Sequence, residues 1–175
     1  YEDLVALIAA IRAAGCQVVL LHARKALLNL DTRANRQIPP LDYPRVHRVK
    51  RDFPDLVIVL NGGLGSLAAS LPHLTLVDGV MLGRAAYERP LLLAEVDTLV
   101  YGKTAATTAT AEGTIEACLP YLEHEYRRGT PLRQMTRHLC GLFHGRPGAR
   151  EWRRLLSGDG GEARTPQDLR AALAH

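Results

Sequence analysis

Three short apolar runs constrain this chain more than any other feature. "QVVLLH" (17–22), "LVIVLNGG" (56–63) and "GVMLG" (79–83) are each a continuous hydrophobic stretch that stops at a polar residue or a glycine. Continuous rather than alternating apolar runs of this length read as buried strands of a parallel sheet. Helical patterns separate them. Leu4, Val5, Ile8 and Ile11 form a stripe over residues 2–14, ended by Gly15. A second helix is expected to start near Pro44, with Val46, Val49 and Phe53 inward. "SLAASL" reads as a short helix capped by Ser66, and a further helix is expected from Arg84 to Glu95. The order α, β, loop, α, β, α, β, α means parallel strands with crossover helices.

After Asp97 the pattern changes. "TAATTATAEGT" reads as a linker, and striped helical segments follow. Ile115, Cys118, Leu119, Leu122 and Tyr126 form one stripe, with Pro120 a point of kinking. Thr130-Pro131 reads as a cap opening a helix that carries Leu132, Met135, Leu139 and Leu142 and ends by Gly145. A third helix opens at Pro147, with Trp152, Leu155 and Leu156 inward, and ends at Gly158. "SGDGGEAR" reads as a flexible link before a short helix capped by Thr165. The expected architecture is α/β over residues 1–96, an all-α helical domain over 97–157, and a flexible tail with a short helix over 158–175.

Charge is distributed unevenly. Net charge is +4, yet residues 127–154 hold eight arginines against one acid, Glu151. Arg matches phosphate bidentately, so this segment points to an anionic partner such as nucleic acid. Cys16, Cys118 and Cys140 lie far apart with no CxxC pair, which suits reduced, buried thiols in the cytoplasm. His138, Cys140 and His144 are conceivable metal ligands, but on a helix the first two point about 200° apart, so no metal is expected. No run reaches the roughly 18 apolar residues of a membrane span. The chain begins without Met inside a predicted helix, which reads as part of a longer protein.

The carboxyl ends of the strands carry the chemistry. Asn61-Gly62-Gly63 and Gly83-Arg84 end successive strands 22 residues apart, the length of one β/α unit. Glycine lets backbone approach a ligand closely, and a following helix offers free N–H donors, so the pair reads as a phosphate site. His22 ends its strand at the same edge.

"HARK", "NRQIPPL", "NGG" and "GRAAY", with "LPYLEHEYRRG" and "RQMTRHLCGLFHGRPGAREWRRLLS" downstream, together resemble the tRNA-dihydrouridine synthases, the DusA subfamily in particular, over residues 1–157. The resemblance implies the C-terminal part of a (β/α)8 TIM barrel followed by a small all-α helical domain. It implies an enzyme, monomeric when full length, that binds FMN, is re-reduced by NADPH, and converts uridine to dihydrouridine in the tRNA D-loop at position 20. His22, Asn61, Gly62, Gly63, Gly83 and Arg84 match the family's FMN-binding residues. Arg33, Arg36, Arg150 and Arg153 look like its tRNA contacts. The family's general acid is a Cys in a Gly-Cys-Pro stretch, and no cysteine here is followed by Pro. The resemblance therefore places the acid, and a flavin-contacting Lys, in a preceding segment and implies that this chain alone is inactive. Two other readings stay open: a phosphate-binding TIM-barrel enzyme acting on a small metabolite, and a tRNA-binding fragment with no catalysis of its own.

Overall fold

A computed structural model describes residues 1–104, 109–157 and 165–173. Two compact units divide the chain, Tyr1–Arg84 and Ala85–His175.

The first unit follows the expected alternation. Helix α1 (Glu2–Ala13) leads to strand β1 (Val18–His22), short helix α2 (Thr32–Asn35), helix α3 (Tyr43–Asp52), strand β2 (Val57–Asn61), short helix α4 (Leu67–Ser70), a 3₁₀ turn (Leu71–Thr75) and strand β3 (Gly79–Met81). Two local signals act as anticipated: Pro44 sits in the first turn of α3, and the Ser66 hydroxyl accepts from the Ala69 N–H. The three strands form a parallel sheet in the order β1-β2-β3, with His22 opposite Asn61 and Asn61 opposite Met81.

One face of this sheet is covered and the other is not. Ile58 and Leu60 join Ile8, Val46, Val49 and Phe53 in the core, with Val19, Leu21 and Val80 packed alongside. The alternate residues face away. Val18, Leu20, Val57 and Met81 are 49%, 57%, 41% and 43% exposed. The continuous apolar runs read as buried strands; in this structure one face of them is buried and the other is exposed. Parallel sheets are otherwise covered on both sides, and a sheet face that lines a barrel interior is covered only by the rest of the barrel.

The second unit contains helices and no strand among its described residues. It comprises α5 (Arg84–Glu88, beginning at the boundary residue), α6 (Val96–Leu99), α7 (Ala111–Arg127), α8 (Leu132–Thr136), α9 (Ala149–Leu156) and α10 (Pro166–Ala172). Its core gathers Ile115, Leu119, Leu122, Leu132, Met135, Leu142, Trp152, Leu156 and Leu169. Several expected boundaries move. The helix expected over 84–95 is broken, because Pro90 cannot donate an N–H, and residues Pro90–Glu95 form a 3₁₀ turn instead. Residues 85–96 fall with the second unit, where Leu91 packs on the core. Helix α7 begins at Ala111, capped by the Thr110 hydroxyl on the Gly113 N–H, and runs through Pro120 to Arg127. Thr130 is not a helix cap; its hydroxyl donates to Glu125, and α8 is followed by the 3₁₀ turn Arg137–Leu139 rather than continuing to Gly145. The expected tail contains α10, held by a Thr165–Asp168 capping box, and its Leu169 is fully buried in this core. Residues 105–108 of the expected linker and 158–164 of the expected flexible link, with Gly158, lie outside the described residues.

Candidate functional site at the carboxyl edge of the sheet

The site begins with strand register. Parallel pairing sets His22, Asn61 and Met81 in one row at the carboxyl edge. Asn61 Nδ2 donates to the Met81 carbonyl at 2.9 Å, which ties the second and third loops together. The Ala23 N–H donates to the Asn61 carbonyl at 2.8 Å, tying the first loop to the second.

Gly62 and Gly63 follow with φ of +111° and +69°. Both values lie where side-chain-bearing residues are strained. Their surroundings are tight as well. A Cβ on Gly62 would lie 3.1 Å from the His22 ring; one on Gly63 would collide with a Leu41 methyl and lie 3.0 Å from Tyr43 Oη. Tyr43 Oη donates to the Gly62 carbonyl at 2.9 Å, so the start of α3 fixes this turn. Gly83 differs: a Cβ there would meet nothing within 4 Å. Among the described residues, the N–H groups of Gly62, Gly63 and Gly83 have no backbone acceptor outside the regular elements.

The edge is electropositive. Partial burial pushes the His22 imidazole below its ordinary pKa, and Arg24, Arg36 and Arg84 push it the same way. His22 is therefore neutral near pH 7, and three guanidiniums act on one ring. Arg24 Nε donates to the Pro39 carbonyl at 2.8 Å, while its Nη1 is buried without a partner. A cleft of about 610 Å³, lined in part by His22, Arg24, Lys25, Pro39 and Asp42, opens beside β1. That volume lies within the range of small-molecule sites.

Arg33 and Arg36 belong to an ordered turn. Asp31 caps α2 by accepting from the Ala34 N–H at 2.7 Å, and the Asn35 side chain bonds the Leu27 N–H and the Leu27 and Leu30 carbonyls. Arg33 lies on α2 and Arg36 caps its end; both side chains are exposed and have no carboxylate partner among the described residues. Arg150 and Arg153 are exposed on α9 of the second unit, whose Trp152 is buried. The thiols stand away from this edge or in the other core. Cys16, expected to be buried, is exposed, and it precedes β1 at the opposite end of that five-residue strand. Cys118 and Cys140 pack against the core of the second unit.

Sequence reasoning missed Tyr43 and Arg24. Tyr43 left no signal, because its function depends on where α3 starts relative to a loop 19 residues later. Arg24 was visible inside "HARK" but not singled out.

The dihydrouridine synthase (Dus) family model matches residues 1–174. The chain belongs to this family. Its members are built on the TIM-barrel fold. The tRNA-dihydrouridine(20/20a) synthase of Shewanella oneidensis is 50% identical over 158 residues, 90% of this chain and 47% of the relative. The Vibrio cholerae enzyme of the same name is 48% identical over 159 residues, 90% of this chain and 48% of the relative. The one from Escherichia coli K12 is 50% identical over 143 residues, 81% of this chain and 41% of the relative. The chain thus spans about half the length of the curated relatives it matches.

Proposed function

We propose that this chain supplies the flavin-phosphate edge and the tRNA-gripping helical unit of an FMN- and NADPH-dependent tRNA-dihydrouridine synthase of the DusA subfamily. The whole protein would be a cytoplasmic monomer acting on a D-loop uridine at position 20. The observation that carries this reading is the convergence at one sheet edge of His22, Asn61 and the Gly62–Gly63 turn, under the field of Arg84.

The residues present fit a flavin mononucleotide. Its phosphate is a dianion, and backbone N–H groups in glycine turns with an adjacent Arg are suited to hold one. Gly62, Gly63 and Gly83 would donate N–H groups, and Arg84 would add charge. Neutral His22 and the Asn61 side chain would hydrogen-bond and orient the group. Bound and reduced, the cofactor would supply hydride to the uracil double bond. A general acid must protonate the second carbon. The resemblance places that acid, a Cys in a Gly-Cys-Pro stretch, outside this chain, in which no cysteine is followed by Pro. The chain by itself would then be inactive. Reaching the uracil requires it to leave its stack, which in turn requires a grip on the surrounding tRNA. Arg33, Arg36, Arg150 and Arg153 would contribute to that grip through phosphates.

A small-metabolite reading explains the glycine edge but leaves the arginine-rich unit without a purpose. The test is flavin retention by the full-length protein and by its Gly83→Asp variant. A Cβ at Gly83 meets nothing, so the fold should tolerate the change while a carboxylate enters the anion site. FMN should co-purify with the parent protein, and its affinity should fall at least tenfold in the variant. Undiminished FMN binding by Gly83→Asp would overturn the assignment of this edge.

A further inference from the structure

Three rings of the first unit form a chain behind the glycine turn. Tyr43 and His47 are four residues apart on α3, so their side chains share a face. His73 lies in the 3₁₀ turn Leu71–Thr75, which carries Pro72 near its start. The Leu76 and Val77 N–H groups close that turn by donating to the His73 carbonyl at 2.9 and 3.0 Å. His47 Nε2 and His73 Nδ1 share a hydrogen bond of 3.1 Å. The His73 ring packs on the Tyr43 ring, with centroids 4.6 Å apart and planes tilted by 57°. That separation lies in the range where aromatic rings attract. Tyr43 Oη in turn donates to the Gly62 carbonyl at 2.9 Å. Both hydrogen bonds of the chain are partly buried.

We propose that His47 and His73 are positioning residues for the cofactor edge: their mutual bond sets the His73 ring, which sets Tyr43, which holds the Gly62–Gly63 turn with its N–H groups turned to a phosphate. The inference rests on the FMN reading above and adds to it two residues that act through Tyr43.

The chain has a built-in proton dependence. A bond between two imidazoles survives the first proton, because an imidazolium can donate to a neutral ring. It fails at the second, because neither nitrogen then accepts. Burial, then the His73 charge and the Arg51 guanidinium, hold His47 below its ordinary pKa of about 6.5. The neighbouring elements supply no acid to offset them. Strands β2 and β3 and helix α4 carry no ionisable side chain. On α3, Asp52 is engaged by Tyr1 and Arg48, and Lys50 pairs with Asp78. Asp42, before α3, pairs with Arg45. On α1, Arg12 pairs with Asp55, and Glu2 and Asp3 are exposed. A histidine whose folded pKa is depressed contributes fully above its ordinary value, and the contribution is lost as pH falls through the folded value. The tie on the turn is therefore intact above about pH 6.5 and released in more acid solution.

The test is FMN affinity of the full-length protein and its variants at pH 8 and pH 5. At pH 8, Tyr43→Phe and His73→Ala should each weaken FMN binding about fivefold, the factor one ordinary hydrogen bond is worth. Tyr43→Phe/His73→Ala should weaken it by the same fivefold and no more, because both substitutions remove one tie. Between pH 8 and pH 5 the parent should lose about fivefold more affinity than Tyr43→Phe, which has no tie left to release. His22 and the FMN phosphate are common to both proteins, so their titrations cancel in this comparison. His47→Gln, which takes up no proton, should lose the same excess. Protection of the β2 amides from hydrogen exchange reports whether the first unit stays folded in each variant, and the pH comparison uses only the two mildest substitutions. Additive losses in the double variant, or equal pH dependence in the parent and Tyr43→Phe, would overturn the positioning role while leaving the FMN assignment intact. A parent protein that does not bind FMN would overturn both.

Discussion

Replacing Gly63 by Ala tests the tightest turn of the candidate site. At φ +69° a side-chain-bearing residue incurs about 1–2 kcal/mol of backbone strain. The new methyl adds an overlap with Leu41 and a 3.0 Å approach to Tyr43 Oη. Overpacking of a filled site costs about 1–3 kcal/mol. The Leu41 methyl ends a rotatable side chain and can yield. The Tyr43 hydroxyl can yield only by giving up its bond to the Gly62 carbonyl, worth about 1 kcal/mol. The expected destabilisation of the first unit is therefore about 2–5 kcal/mol. Gly15→Ala provides the comparison, because Gly15 has φ +93° and nothing within 4 Å of its Cβ position. It should cost the strain alone, about 1–2 kcal/mol. Hydrogen exchange of the β2 amides under urea reads the first unit; fluorescence of Trp152, the lone tryptophan, reads the second. Gly63→Ala should speed exchange in β2 well beyond Gly15→Ala, with Trp152 unaffected. Equal effects of the two substitutions would refute the crowding argument, and no effect from either would refute the strain argument too.

Two further outcomes are expected. Asp78 accepts from the Ile58 N–H at 2.7 Å and pairs with Lys50 at 2.8 Å; burial raises its pKa, but these bonds outweigh burial and leave it below the usual carboxylate value. Its contribution to stability is thus present above about pH 4, the ordinary carboxylate range, and lost as pH falls through its depressed folded value; acid titration followed by β2 exchange should show this loss, and Asp78→Asn should remove it. Leu169→Ala should cost the second unit about 2–5 kcal/mol in urea unfolding followed by Trp152 fluorescence, because Leu169 is fully buried, whereas a loss below about 0.5 kcal/mol would mean that α10 is an ornamental tail.

Local signals were legible in the sequence because each acts within a few residues. The apolar runs located all three strands, Pro44 marked the first turn of α3, and Ser66 and Thr165 marked caps that the structure contains. The one-sided burial of the sheet was not legible. Val18, Leu20 and Val57 are as apolar as the buried Ile58 and Leu60, and burial depends on what covers a residue rather than on its type. Long-range polar ties were invisible for a similar reason. Lys50 bonds the Pro54 and Leu56 carbonyls and Asp78, joining the end of α3 to the start of β2, yet nothing in "VKRD" sets Lys50 apart from other surface lysines. At the candidate site, the glycines and His22 were readable because strand ends align in a parallel sheet. Tyr43 was not, since its contact is made across the turn.

The most direct test of the central proposal is dihydrouridine content in unmodified tRNA incubated with the flavin-loaded full-length protein and NADPH, measured by mass spectrometry of the digested RNA. The proposal predicts that one D-loop uridine gains two hydrogens, and that Gly83→Asp, stably folded but poor in FMN, yields far less product under the same conditions. A flavin-loaded, tRNA-binding protein that leaves every uridine unreduced would contradict it.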